Sequence, residues 1–330
     1  MEKSKIRFDV SKYGMPIVFC LMFILFSFIA PNFLAMRNIL NVARQISTLG
    51  ICAVGMTMVL ICGSTDLTMG WHISLINVLC ATFMVKLGLD PWVSILLVLI
   101  EGTLMGGLLG LLVVKTGVVP LILSLGMLNV LNGASFLVSK GLPIFGFPES
   151  FDIIGRGYIF DTVPVPVVIM IVVFILGGIL LKRTYFGRYF YAVGGSEEAA
   201  KLSGIDTNMT KMLAHMLCGF LTAVGAVIML SRTSSGLSAN GEGFEFNVIT
   251  ACVLGGVSAA GGKGTISGTL IGVLIVGFLE NGLLLMGVSE YIQLVVTGAL
   301  MLFAVSYDTY SRRRTETVRK IKAINSANDV

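Results

Sequence analysis

The residues able to do chemistry are few and scattered. Two histidines, His72 and His215, stand alone in apolar surroundings. Six cysteines (Cys20, Cys52, Cys62, Cys80, Cys218 and Cys252) fall inside apolar runs, with no Cys-x-x-Cys pair and none beside a histidine. That spacing indicates neither a disulfide framework nor a metal site, and small polarizable packing residues explain them. The run "GGVSAAGGKGTISG" from Gly255 to Gly268 invites comparison with a phosphate loop. It fails, because G-x-x-x-x-G-K-[ST] needs glycine where Val257 stands and Ser or Thr where Gly264 stands. The sequence also contains no H-E-x-x-H or G-x-S-x-G motif. It therefore reads as a chain that is not an enzyme.

The acids are more informative. Ionisable groups in lipid cost a few kcal/mol or more, so each needs a reason. Asp66 lies between Gly63 and Gly70, where helix propensity is broken. It could cap a helix starting at Leu67–Thr68, or face a transported solute. Glu101 and Glu280, the latter followed by Asn281, could line a hydrated path or pair internally.

Membrane helices must position these groups. Of the 330 residues 55% are hydrophobic and only 12% charged, with a mean hydropathy of +0.92. Soluble domains carry about twice that charge. The net charge of +5 is too small and too segregated to indicate a nucleic-acid partner. Apolar runs near 15–30, 46–62, 68–88, 92–114, 117–139, 164–181, 211–231, 246–262, 264–286 and 291–308 predict about ten spans, several interrupted by glycine. The first run ends "SFIAP", without a small-x-small cleavage pattern, and is read as a retained span. Alternating from an inside N-terminus puts seventeen of the 23 lysines and arginines inside and six outside, which favours two cytoplasmic termini.

Two segments outside the spans are long: residues 140–163 outside and 182–210 inside. No soluble catalytic domain is visible, so the expectation is a single transmembrane domain over residues 1–330. "GSTDLTMG" (Gly63–Gly70) aligns without gaps with "GGVSAAGG" (Gly255–Gly262), which makes a two-fold internal repeat a candidate. Gly-broken helices at corresponding positions are what transporter repeats show.

The inside segment holds "GGSEEAAKLSGID", Gly194–Asp206. Ser196 is a good N-cap, Glu197 and Glu198 favour the first turn, and Gly204 is a good stop just past the last turn. A helix of about seven residues is marginal in water alone, so one this clearly specified is expected to dock against something.

"FGRYFYAVGGSEEAAKLSGID" (Phe186–Asp206) resembles the cytoplasmic loop of the ribose/galactose-type family of ABC transporter permeases. "GSTDLTMG" is similar to that family's G-G-x-D-L-S-x-G. The resemblance continues through "VVPLILSLGMLNVLNGASFLVSKGLPI" (Val118–Ile144) and Gly243–Val288, and so covers nearly the whole chain. Departures are Ser64 for a frequent glycine, the bulky pair Trp71-His72, and "SAAGGKG" in place of an S-L-S-G-G-x-G run.

The resemblance implies an all-α permease of a sugar importer in the bacterial cytoplasmic membrane. It implies a second permease chain, identical or related, two ATP-binding subunits and an extracytoplasmic solute-binding protein. ATP would be bound by those partners, with no cofactor in this chain. Carried over by position, Glu197, Glu198, Ala199, Ala200, Lys201, Leu202, Ser203 and Gly204 form the element that couples to the ATPase. Asp66, Leu67 and Gly70 belong to the broken-helix motif and, with Glu280 and Asn281, are candidates for the translocation pathway. The expected cargo is a monosaccharide or a similar small polyhydroxylated solute. The competing reading is a secondary transporter driven by an ion gradient, which explains the spans and buried acids but not the capped helix.

Overall fold

In a computed structural model of the chain, residues 10–306, 309 and 310 are described. They form helices α1 (Val10–Ile29), α2 (Met36–Ile61), α3 (Met69–Ala81), α4 (Pro91–Thr116), α5 (Pro120–Ser139), α6 (Glu149–Arg156), α7 (Val165–Arg183), α8 (Tyr185–Gly195), α9 (Glu197–Leu202), α10 (Thr207–Thr233), α11 (Phe244–Leu254) and α12 (Ile266–Leu285). A further apolar helix, α13, spans Glu290–Ser306. One π-helical turn, Thr82–Lys86, extends α3. The described residues are all-α apart from a hairpin of two two-residue antiparallel strands, Tyr158–Ile159 against Val163–Pro164, and one isolated bridge.

Among the described residues seven helices are long and apolar enough to cross a bilayer: α2, α3 with its π turn, α4, α5, α7, α10 and α12. The expectation of ten is corrected. The apolar lengths Gly14–Ile29 and Glu290–Ser306 fall short, and the run at 246–262 holds only the 11-residue α11. At 1.5 Å per residue α11 is about 16 Å long, half of a hydrocarbon core. Hydropathy alone could not show this, because Gly255 and Gly256 stop the helix inside an apolar run. The start of α2 is also earlier than the apolar run, since Asn38, Asn41, Arg44 and Gln45 are helical. The basic clusters at Lys3–Arg7 and Arg312–Lys322 that weighed in the orientation lie outside the described residues.

α2 and α10 form the centre and are mostly buried, whereas α5 and α7 carry exposed Leu, Ile, Val and Phe. Lipid is as apolar as these side chains, so close contact rather than hydrophobicity selects the interior pairs. α10 packs along α4 on Gly102, Gly106 and Gly110, spaced by four, with Gly219 opposite. A side chain at Gly102, Gly106 or Gly219 would overlap the facing backbone.

α2 and α10 run antiparallel, which the contacts of their ends show. A side chain at Gly194, at the end of α8 and shortly before α10, would overlap Ile61 O at the end of α2. Gly262 N donates to the same carbonyl at 2.9 Å. The chain therefore travels from the C-terminal end of α10 to that of α2 between residues 234 and 262. Its first part, 234–243, is irregular backbone joined to the 140–163 segment by a bridge between Ile144 and Gly236. Only the second part, α11, is helical. The crossing is half helix and half loop.

The two segments of the candidate repeat end their preceding helices alike. After α2, Gly63 N donates to Leu60 O and Ser64 N to Val59 O; after α11, Gly256 N donates to Val253 O and Val257 N to Cys252 O. Gly63 and Gly256 both take positive φ, 77° and 81°, the left-handed stop that favours glycine. The equivalence is shifted by one residue from the ungapped alignment. The same stop recurs after α12 at Gly287, so this echo reflects a shared way of ending helices.

Candidate functional site

The segment 184–210 is built from local rules. Thr184 Oγ1 caps α8 by accepting from Gly187 N at 3.3 Å. Ser196 Oγ caps α9 by accepting from Ala199 N at 3.3 Å. Gly204, with φ of 81°, closes α9: its N–H donates to Lys201 O and Ile205 N–H donates to Ala200 O, both at 3.0 Å. Asp206 Oδ1 then caps α10 by accepting from Met209 N at 2.9 Å. The Ser196 cap and the Gly204 stop hold α9, a six-residue helix that propensity alone would not sustain, between the separately capped α8 and α10.

Charge fixes its orientation. Glu197 accepts from Lys201 Nζ at 3.0 Å and from Lys211 Nζ at 2.6 Å, which ties α9 to the first turns of α10. The Lys211 hydrogen bond, opposed by partial burial and assisted by Lys201, holds the Glu197 carboxyl down at about 2. Ala200 is buried against the protein itself, whereas Leu202 is 86% exposed. Glu198, Ala199, Lys201, Ser203 and Gly204 are exposed as well. The eight residues expected to act together thus divide into an anchor, Glu197 and Ala200, and an outward face dominated by Leu202.

The break between α2 and α3 is organised by Asp66. Its Oδ1 accepts from Thr68 N at 2.8 Å and from Thr68 Oγ1 at 2.6 Å. Asp66 therefore braces the turn before α3, which begins at Met69 rather than at Leu67–Thr68. Its Oδ2 faces His215 Nδ1 at 3.8 Å, and His215 Nε2 shares a 2.9 Å hydrogen bond with Ser64 Oγ. A Ser–His–Asp order is familiar from nucleophilic catalysis. Here Ser64, Asp66 and His215 are all at most 3% exposed and none lines the cavity described below, so no substrate carbonyl can approach. The trio is a clamp between the α2–α3 break and α10. Leu67 is buried beside it.

The second isolated histidine is also paired with an acid: His72 Nε2 lies 3.2 Å from Glu101 Oε2. Separations of 29 and 149 residues hid both pairs in the sequence.

Glu280 and Asn281 lie elsewhere. Glu280 accepts from Asn247 Nδ2 at 2.7 Å and lies 3.5 Å from Gln45 Nε2. Asn281 exchanges two amide hydrogen bonds with Asn38, at 2.9 and 3.0 Å. Gln45 and Ile61 are about 24 Å apart along α2 at 1.5 Å per residue. The pathway candidates thus form two sites near opposite ends of α2, with Gly70 joined to a third feature that sequence reasoning missed.

That feature is a cavity of about 970 Å³ between α3, α5, α13 and the irregular 234–243 segment. Its lining includes Trp71, Phe136, Asn240, Glu242, Glu245 and Glu290. A side chain at Gly70 would overlap the Glu245 carboxylate and Gly241 O, and one at Gly241 would overlap Gly70 O. The two glycines let α3 and the crossing segment touch backbone to backbone. Ser74 Oγ holds the contact by accepting from Gly241 N at 2.9 Å.

The fold thus combines a capped surface helix with seven helices, among the described residues, long and apolar enough to cross a membrane. The profile of the family described as branched-chain amino acid transport system / permease component matches residues 38–305. The chain belongs to this permease family. The permease is similar to the ribose import permease protein RbsC of Bacillus subtilis (strain 168), 41% identical over 93% of this chain and 96% of that protein. It is 40% identical to the protein of the same name from Escherichia coli (strain K12), over 86% and 88% of the two chains. The L-arabinose transport system permease protein AraH of Escherichia coli (strain K12) is 35% identical over 93% of each. No solved structure matches the permease. The ribose/galactose-type resemblance read from the sequence agrees with these relatives, and the family is one of transport permeases rather than enzymes.

Proposed function

We propose that the permease is the membrane subunit of an ATP-binding cassette importer for a monosaccharide or a similar small polyhydroxylated solute. A second permease chain, two ATP-binding subunits and an extracytoplasmic solute-binding protein complete the assembly, and ATP is bound by the partners. The observation that carries this reading is α9: a surface helix capped at both ends, by Ser196 and Gly204, whose inner face is anchored and whose outer face presents Leu202. The import function and pentose cargo stated in the names of its relatives support it.

Orientation follows from the same segment. Residues 182–211 carry Lys182, Arg183, Arg188, Lys201 and Lys211, the bias of a cytoplasmic side. Because residues 234–262 make a full crossing although only α11 is helical, alternation through that point is preserved. Both termini are then cytoplasmic if α1 and α13 also cross.

The side chains supply a contiguous path for coupling. Glu197 on α9 grips Lys211 on α10; His215 is one turn further along α10, and it holds Ser64 and Asp66 at the α2–α3 break. Closure of ATPases on α9 would displace α10, and with it the start of α3 beside the cavity. This is a two-position lever only if the assembly has two states, which the transport cycle requires.

Mass spectrometry of what co-purifies in mild detergent, joined to uptake by proteoliposomes, tests the reading. A stoichiometric ATPase and ATP-dependent uptake are expected. A solitary oligomer that transports on a sodium or proton gradient alone would instead establish the secondary-transporter reading.

A further inference from the structure

We propose that the cavity beside Trp71 is the site where the solute is held within the membrane, and that it admits uncharged polyhydroxylated molecules and refuses anions. The inference rests on the transport reading above and deepens it.

Four observations converge. Glu245 is buried, 2% exposed, yet its Oε2 has no hydrogen-bond partner. Asn240 Nδ2, on the same lining, is also buried without one. Orphaned polar groups of this kind are costly unless something pairs with them. Both atoms are sealed from the open space, so a hydroxyl pair reaches them when the Glu245 and Asn240 side chains turn towards the cavity they line, one hydroxyl donating to the Glu245 carboxylate and the other accepting from the Asn240 amide.

Second, the lining offers rings as well as polar atoms. Trp71 and Phe136 lie with their centroids 6.2 Å apart and tilted by 47°. An apolar ring face beside directed hydrogen-bond groups suits a molecule with C–H and O–H faces.

Third, the lining charge is one-signed. Glu242, Glu245 and Glu290 contribute three carboxylates, and among the described residues no lysine, arginine or histidine joins them. The positive helix ends nearby do not reverse this, because Glu245 itself sits in the first turn of α11 and against the start of α3 at Gly70. A carboxylate or phosphate would find like charge and no counter-ion. A free amino acid would pair its ammonium but leave its carboxylate unmatched, so the cavity favours the sugar side of the family.

Fourth, irregular backbone at membrane depth persists only where protein buries it or where it lines a hydrated space. Residues 237–240, 242 and 243 of the crossing segment line this cavity. Its lack of helix is thereby accounted for.

The chain has two tryptophans, Trp71 and Trp92, and Trp92 is exposed at the start of α4. Trp92→Phe leaves Trp71 as the sole reporter in the purified full chain. Its emission is titrated with D-ribose, L-arabinose and D-ribonate, and ATP-driven uptake of the two pentoses is measured in proteoliposomes of the assembled transporter. The expected result is a saturable response to a neutral pentose and none to ribonate. Glu245→Ala and Asn240→Ala should each raise the KM for the transported pentose about tenfold, the loss of one good hydrogen bond, with the chain still assembled with its ATPase. A silent Trp71 in a transporter that carries the pentose normally, an equal response to ribonate, or wild-type KM in both variants would overturn the site while leaving the importer reading intact. Absence of ATP-driven uptake by the unmutated assembly would instead remove the importer reading, and this inference with it.

Discussion

Glu197 Oε2 and Lys211 Nζ meet at 2.6 Å, joining the six-residue surface helix α9 to the 27-residue membrane helix α10. The pair spans 14 residues and turns a local capping pattern into a mechanical link. His215 lies four residues beyond Lys211 on α10, where it clamps the α2–α3 break.

The link is pH-dependent in a definite direction. Glu197 has its carboxyl held at about 2 instead of 4.5. A depressed carboxylate contributes fully above its unfolded value and loses that contribution as pH falls towards the folded one. The grip of α9 on α10 should therefore be intact at pH 5 and above and weaken between about 4.5 and 2. The side chain is more than one-third exposed, so solvent screening limits the effect to about 1 kcal/mol or less. Limited proteolysis within 196–206 should accelerate across that window, and Glu197→Gln should abolish the pH step. A step of the same size in Glu197→Gln would show that another group controls it.

The outward face of α9 can be separated from its anchor. Leu202→Glu removes an exposed apolar contact and should release the ATPase while leaving the thermal stability of the permease within about 0.5 kcal/mol, as for other surface changes. Ala200→Leu places a larger side chain in a filled site and should cost about 1–3 kcal/mol. Co-purification stoichiometry and detergent melting temperature, read together, distinguish the two. An ATPase retained at full stoichiometry by Leu202→Glu would exclude this face from docking.

The Asp66 clamp should behave structurally. His215→Leu leaves the buried Asp66 carboxylate without its facing ring and Ser64 without its partner, a loss of about 3 kcal/mol or more. Asp66→Asn keeps an acceptor for Thr68 and should be milder. Fluorescence-detected size-exclusion after heating ranks the variants. Wild-type melting in His215→Leu, with altered solute preference, would move the trio into the pathway.

Gly70 tolerates no side chain. Gly70→Ala should drive Glu245 and Gly241 away from α3 at a cost of about 1–3 kcal/mol. The paired substitution Gly70→Ala with Glu245→Ala should recover only part of this loss, since Gly241 O remains in the way. Full recovery in the double variant would show that the carboxylate, and not the backbone contact, sets the limit.

What was readable in the chain divides along physical lines. Hydropathy runs, caps and short-range charges act over a few residues, so the membrane class, the broken stretch between Gly63 and Gly70, the Ser196 cap and the Gly204 stop of α9 were legible in the chain itself. Even there, a span count near ten overshot, because an apolar run does not reveal where its helix ends. The sequence by itself determined which segments seek lipid and which short helix is held in water. Only the tertiary structure decided that Ala200 faces inward and Leu202 outward, that His215 meets Asp66 and His72 meets Glu101, and that Glu280 lies far from the α2–α3 break. Those facts depend on contacts across tens to hundreds of residues, set by how glycine-lined helices approach. The same holds for Glu245: it reads as one more acid at the edge of an apolar run until Gly70 and Gly241 bring α3 and the irregular crossing together around it.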